Sequence, residues 1–449
     1  MKKILALLFV LSMVFIVATA GIKPSHNNKK PVKTTTTTTT ATQTTTKPTA
    51  TASVTTVTTT QSTVSPTTVS TTTTTNIPVP TTTPAYITTT TKALTTPSSS
   101  AKKIFGYYAG WSAYSGYTPD KIDASKLDFI NYAFANIGSD LKVAVGDTSI
   151  DPSNFTKLKA LKTKYPNVKT LISVGGWTWS AKFSDVALTD ASRTTFAASC
   201  VTFLKQYGFD GIDIDWEYPV GGGLSTNTYR TADKTNFTLL MAKIREKLNA
   251  QTALDGKQYY LTFAGGCGSW HANNMELQKL SALVDYGIIM TYDIHASWEE
   301  YTDFNAPLYA QSAASGNIKW GVNDGVNLWL SKGFSSQKLI MGVPFYGYAF
   351  SGVTNANNGL FQKFTAGKSV SYNTIKASYL GKGYTLYRHA ETKAPWLWNG
   401  STFVSYDDAA SITAKAQYAL SKSLGGAAVW EISQDTSGEL MGALYQGLK

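Results

Sequence analysis

Beyond residue 102 the chain alternates short, nearly continuous apolar runs with longer amphipathic segments. The short runs are Ile104–Ala109, Phe129–Ala135, Thr170–Val174, Gly211–Glu217, Tyr260–Ala264, Gly287–Tyr292, Leu339–Pro344 and Ala427–Trp430. Between them lie helix-length stretches, Phe155–Lys164, Ser192–Tyr207, Ala232–Asn249, Asn323–Lys332 and Asp407–Leu424, and a closing stretch, Gly438–Leu448. Apolar strands separated by helices predict a parallel sheet covered by helices. Eight of them fit an α/β fold of the (β/α)₈ TIM barrel type. The interval from Pro344 to Ala427 exceeds what one helix needs. Its excess, residues 348–405, is rich in Tyr, Gly, Phe and Trp and predicts a small α+β insertion subdomain between strand seven and its helix. Such an insertion leaves the barrel on the face where these folds hold their active sites, and would wall one side of a cleft.

The first 100 residues follow another pattern. Lys2 and Lys3 precede the apolar run Ile4–Val17 and the small residues Ala18-Thr19-Ala20, so residues 1–20 read as a signal peptide. Residues 21–100 are dominated by Thr with Ser and Pro, too polar to offset the entropy of ordering, and read as a disordered stalk. Residues 101–449 form the expected catalytic domain. No later run is long and apolar enough to span a membrane, so the mature protein is expected to be secreted, and a Thr-rich stalk is compatible with cell-wall association.

The formal charge of +12 suggests nucleic acid only until it is located. Eight lysines and no acids fall in residues 1–100, leaving 32 basic against 28 acidic residues for the remainder. That is an ordinary solvated surface with no basic strip of the kind nucleic-acid binding needs. Cys200 and Cys267 are too few for a disulfide framework. Export permits one bridge between them, but nothing in the sequence brings them together, and two buried free thiols are the favoured reading over a single disulfide. Four scattered histidines have no metal-ligand spacing, so neither metal nor cofactor is expected.

The chemistry is concentrated in Phe209-Asp-Gly-Ile-Asp-Ile-Asp-Trp-Glu217-Tyr-Pro219. Strand alternation sends Asp213, Asp215 and Glu217 to one face and Ile212, Ile214 and Trp216 to the other. Three acids lining a barrel repel, so at least one should hold its proton at neutral pH, as a general acid for glycosidic cleavage must. A structural salt-bridge cluster or a divalent metal site is the alternative. The segment contains no Arg, and no run of further Asp or Asn ligands lies nearby. Asp210 has the wrong parity to join the three and reads as structural.

Asp210-x-x-Asp213-x-Asp215-x-Glu217-Tyr218-Pro219 resembles the signature of family 18 glycoside hydrolases of the chitinase type. Ser173-x-Gly175-Gly176 is similar to the family's third-strand motif, Met290-Thr-Tyr-Asp293 to its sixth-strand motif, and Trp430 to its strand-eight tryptophan. The resemblance runs from Lys103 to Lys449, and the insertion ending in Val404-Ser-Tyr-Asp-Asp408 is similar to that of the deep-cleft subgroup. It implies a monomeric enzyme acting on β-1,4-linked N-acetylglucosamine in chitin and chitooligosaccharides, with retention. Glu217 would protonate the leaving oxygen while the substrate's acetamido carbonyl attacks the anomeric carbon. Asp215 would hold the acetamido N–H, Asp213 would share its proton, and Tyr292 would bond the acetamido oxygen. Gly175, Gly176, Trp177, Thr178, Tyr218, Met290, Asp293, Trp430 and Tyr107 would line the sugar site. Trp111, Trp270 and Trp298 follow predicted strand ends and fit sugar stacking or core packing equally. Where the family often has Arg after the strand-seven Tyr-Gly, this chain has Tyr348. A binding lectin lacking the acid, and an endoglycosidase acting on N-glycans or peptidoglycan, are the competing readings. Residues Glu217, Asp215 and Tyr292 disfavour the first; the Trp216 and Tyr218-Pro219 flanks disfavour the second.

Overall fold

The computed structural model describes residues 101–312 and 319–449; the expected signal peptide and stalk lie outside them. Eight parallel strands close into a ring: β1 (Lys103–Ala109), β2 (Phe129–Ile137), β3 (Lys169–Gly175), β4 (Gly211–Asp215), β5 (Tyr260–Gly266), β6 (Tyr286–Met290), β7 (Leu339–Pro344) and β8 (Gly426–Trp430). Each pairs with its successor, and β1 pairs with both β8 and β2, leaving no open edge. The (β/α)₈ barrel is therefore the observed fold.

Period-two alternation divides the side chains between two packing layers. One set points into the barrel, where Phe105 stacks on Phe129 at 4.2 Å and Tyr260 and Tyr286 meet them edge-on. The other set meets the helices: Trp216 is buried between Phe183 (5.5 Å) and Phe237 (5.6 Å), and Trp329 stacks on Phe263 at 5.6 Å. A buried tryptophan in such a layer is worth about 3–5 kcal/mol against truncation to alanine.

Local signals set the helix ends. Asp190–Tyr207 starts at Thr189, whose side chain accepts from the Ser192 N–H while Ser192 returns a bond to the Thr189 N–H. It stops at Gly208, whose left-handed backbone suits glycine. Asp233–Asp255 runs six residues beyond the expected Asn249 before ending at Gly256. The β1–β2 connection contains only 3₁₀ turns, at Gly110–Ser115, Pro119–Lys121 and Ala124–Lys126. Two short helices after β5, Ser269–Asn273 and Leu277–Leu283, are not signalled by periodicity because neither completes more than two turns.

The insertion is a five-stranded antiparallel sheet in the order Ala366–Ser371, Tyr346–Ser351, Thr402–Ser405, Pro395–Trp398, Thr385–Arg388, with a helix at Tyr372–Ser378. It begins at Tyr346, two residues earlier than expected, because Tyr346 and Gly347 already pair with Ser371 and Val370. Phe350 pairs with Phe403, and both join Trp396, Trp398 and Phe304 in a separate apolar core. Phe304 comes from the segment after β6, so the insertion packs on the loop that follows the sixth strand. Helix Ala409–Ser421 then returns the chain to the barrel, its buried Lys415 paired with Asp407 at 2.6 Å.

Candidate active site

Within the barrel, Asp213 lies level with Ser173 on β3 and Thr262 on β5, all three fully buried. Its Oδ2 accepts from the Tyr107 hydroxyl (2.9 Å) and the Ser173 hydroxyl (2.8 Å), and its Oδ1 from the Thr262 hydroxyl (2.5 Å). Burial raises the Asp213 carboxyl above the ordinary aspartate range, and the hydroxyls only partly oppose it. Tyr107, expected among the sugar contacts, is buried and turned to Asp213.

One step toward the mouth, Asp215 ends β4. It is 4% exposed, and its Oδ1 has no hydrogen-bond partner among the described residues. Burial, then the charges of Glu217 and Asp213, push its carboxyl well above the ordinary value. This acid is pressed against two others with a lone pair unused, which suits the capture of a donor N–H brought by a ligand.

Glu217 stands two residues beyond the strand, not within it as alternation over Gly211–Glu217 implied. Pairing with β3 and β5 stops at Asp215, while Trp216 continues the alternation into the helical layer. The Glu217 carboxyl is partly buried. Desolvation, with the Asp293 charge added and the Tyr218 phenol opposing, pushes it up to about 7. Near neutral pH it is thus poised to carry a proton. Tyr292 similarly lies two residues past the end of β6. Burial, then the charges of Asp215 and Glu217, keep its phenol protonated and able to donate. Among the described residues no Lys, Arg or His lies within ion-pair distance of Asp213, Asp215, Glu217 or Asp293. No group of three or more His, Cys, Asp or Glu among them could hold a metal.

The third-strand glycines serve packing. Gly175 has φ 106°, and a Cβ there would meet the Asp215 carbonyl at 2.3 Å. Gly176 is likewise buried, whereas Trp177 and Thr178 face solvent at the rim. Met290 ends β6 half-buried. Asp293 is anchored by its N–H to Asn305 Oδ1 (2.8 Å), and its Oδ1 accepts from the hydroxyls of Tyr346 (2.5 Å) and Tyr348 (2.7 Å). Tyr348 thus holds Asp293 through a neutral donor from the insertion.

An aromatic track crosses the mouth. Trp430 packs on Tyr107 (5.5 Å), stacks with Phe134 (5.6 Å) and adjoins Trp111 (6.3 Å). Trp111, Trp177, Trp270 and Trp298 are 51, 38, 55 and 52% exposed, values that exclude core packing for all four. The Trp270 indole N–H reaches the Gly221 carbonyl at 3.5 Å, and Trp298 meets Tyr348 edge-on at 6.1 Å. Tyr218 lies against His271, with ring centroids 4.1 Å apart.

Several site residues escaped the sequence. Phe134 should face outward by alternation, but a register irregularity between Ala133 and Ala135 places it with Ala133 in the inner cluster. Thr262 could have been found by carrying the parity of Asp213 to the next strand. Ser180, Asn227 and Asn305 belong to no motif, and only the fold brings them here; Tyr346 stands in the strand-seven Tyr-Gly, but its bond to Asp293 was not signalled. Asp210 sits at the opposite end of β4, bonded to Lys162 (2.6 Å), Lys257 (3.1 Å) and the Thr170 N–H (2.9 Å), as its parity suggested. Cys200 and Cys267 are buried free thiols.

Comparison with known proteins places this architecture. The family described as Glycosyl hydrolases family 18 matches residues 103–435. Chitinase A1 of Niallia circulans is 41% identical over 415 residues, covering 79% of this chain but only 59% of that protein. Chitotriosidase-1 of Mus musculus is 34% identical over 75% of this chain and 74% of its own length. Among solved structures, a family 18 N-acetylglucosaminidase from Paenibacillus barengoltzii superposes with a TM-score of 0.71 at 33% identity, covering 77% of this chain and all of that one.

Proposed function

This chain belongs to family 18 of the glycosyl hydrolases, and from that premise we propose that it is a secreted chitinase cleaving β-1,4 N-acetylglucosamine linkages with retention. The observation that carries the reading is the run Asp213, Asp215, Glu217 rising to the barrel mouth with no described cation beside it, Glu217 pushed up to about 7. A proton donor must be protonated at working pH, and desolvation supplies that. In this reading Glu217 gives its proton to the glycosidic oxygen. The acetamido carbonyl of the sugar attacks the anomeric carbon to form an oxazolinium ion, the substrate-assisted route. Asp215 takes the acetamido N–H on its unpartnered oxygen, and Asp213, braced by three hydroxyls, shares a proton behind it. The Tyr292 phenol bonds the acetamido oxygen and aims it, while Trp430 forms the floor. The exposed tryptophans give sugar faces an apolar track. Export rests on the leader-like residues 1–20; among the described residues no helix is long and apolar enough to cross a membrane.

The test is the first-formed product. Proton NMR within seconds of mixing with chitohexaose should detect the β anomer, and fully deacetylated chitosan should resist cleavage. An α anomer, or rapid chitosan hydrolysis, would exclude the acetamido nucleophile. The likeness to an N-acetylglucosaminidase favours a second reading, release of single sugars from chain ends. N-acetylglucosamine and chitopentaose as the only early products from chitohexaose would select it, whereas dimers to tetramers would select internal or disaccharide-releasing cleavage.

A further inference from the structure

We propose that Ser180 and Asn227 are positioning residues that clamp the peptide of Glu217 from both sides and so aim its carboxyl. The proposal rests on the reading of Glu217 as proton donor and adds the parts that hold it. Because β4 ends at Asp215, the sheet no longer supplies partners for the Glu217 backbone. Two side chains from separate loops take over. The Glu217 N–H donates to Ser180 Oγ at 2.9 Å, and the Glu217 carbonyl accepts from Asn227 Nδ2 at 3.0 Å. Backbone groups at the edge of a wet cleft would otherwise exchange with water and leave the peptide plane free to rock.

Ser180 is fully buried and acts as a hub. Its hydroxyl points to the Gly176 carbonyl (2.8 Å), with the Asp215 carbonyl at 3.2 Å, while it accepts from Glu217. One oxygen thus links the loop after β3, the end of β4 and the acid. On the other side the Glu217 carbonyl lies 1.9 Å from where a Cβ on Gly223 would stand, so only glycine lets the chain pass there.

The two jaws are joined to each other. The Thr228 N–H donates to the Ala181 carbonyl at 3.2 Å. Arg230 donates to Ser184 Oγ and Asp185 Oδ1, both at 2.7 Å. Asp233 accepts from the Ser184 hydroxyl (2.7 Å) and the Arg230 N–H (2.6 Å). The segments 176–185 and 217–233 therefore form one hydrogen-bonded frame around an acid that the ladder no longer holds. Misplacing a reacting group by about 1 Å costs on the order of 10²-fold in rate.

A misaimed proton donor leaves a signature that general damage does not. A sugar leaving group needs protonation, whereas para-nitrophenolate departs with little help. The full chain should be compared with Ser180→Ala and Asn227→Ala on chitohexaose and on para-nitrophenyl chitobioside, with melting temperatures recorded. The expected result is a kcat on chitohexaose lower by roughly 10- to 10²-fold, nearly unchanged KM, and a loss on the aryl substrate smaller by about 10-fold. Asn227→Asp keeps the side-chain shape but turns an acceptor toward the carbonyl, and should do no better than alanine. Equal losses on both substrates, or wild-type kcat in both folded variants, would overturn the clamp while leaving Glu217 as donor. If Ser180→Ala fails to fold, Asn227→Ala, on a half-buried loop, decides alone. An unaltered chain that hydrolyses neither substrate would instead remove the reading on which the clamp rests.

Discussion

Asp210 and the trio Asp213, Asp215 and Glu217 occupy one stretch of eight residues, yet the fold treats them as opposite kinds of acid. At the lower end of β4, burial would raise Asp210, but the Lys162 bond, the Thr170 N–H and the Lys257 charge outweigh it and hold the carboxyl below the ordinary range. At the upper end burial acts on acids that have hydroxyls or each other for neighbours, and all three rise. Desolvation is the first cause in every case; the partner decides the sign. The lower acid is an ionised brace between β4, β3 and a helix. The upper acids are kept where protons can be exchanged, consistent with barrel enzymes placing stability at one face and chemistry at the other.

Breaking the upper end should have the largest effect. Glu217→Gln should lower chitooligosaccharide turnover by about 10²- to 10⁴-fold, the range for a lost general acid, with the fold intact by melting. In the unaltered enzyme kcat should hold on the acid side and fall as pH rises through about 7, where Glu217 loses its proton. Asp215→Asn should cost on the order of 10²-fold in kcat, as for one lost electrostatic contact to a developing charge, and should weaken binding of an oxazoline mimic. Turnover within a few-fold of normal in either folded variant would erase the contrast.

At the lower end the outcome should invert. Asp210→Asn should cost about 1.5–3 kcal/mol of stability, typical of hydrogen bonds to a charged group, while leaving kcat unchanged. The smallest effect is also the sharpest. A carboxyl raised on folding, as Glu217 is, contributes stability below its ordinary value of 4.5 that is lost as pH rises through about 7. Glu217→Gln should therefore melt with the unaltered chain near pH 4 and above it at pH 8. Asp210 is lowered on folding, so its stabilisation is present above the unfolded value of about 3.9 and fades on acidification. The deficit of Asp210→Asn should be full at pH 7 and shrink below pH 4. Parallel melting curves for the two variants across pH would mean that the ends of β4 do not differ in this way.

Eight strands, the closing helix and the existence of an insertion were legible because each rests on a local pattern: apolar runs of strand length, amphipathic stretches, and an interval too long for one helix. The parity of Asp210 against Asp213 and the outward turn of Trp216 also follow from alternation alone. Strand length and register were not legible. Glu217 and Tyr292 lie beyond the last paired residue, with Glu217 still beside Asp215 as parity implied, and Phe134 turns inward through a break in register. Local periodicity cannot report a bulge or the last rung of a ladder, since both depend on the neighbouring strand.

The sequence by itself determined the barrel, the order of its strands and the identity of its acids, since spacing and side-chain type are properties of the chain. Only the tertiary structure decided what those acids become. Burial depth, the two lysines beneath Asp210, the hydroxyls around Asp213, the phenols on Asp293 and the clamp on Glu217 come from residues as much as 106 positions away. A carboxyl's proton affinity is set by what surrounds it within a few ångströms, and closing the barrel is what brings those surroundings together.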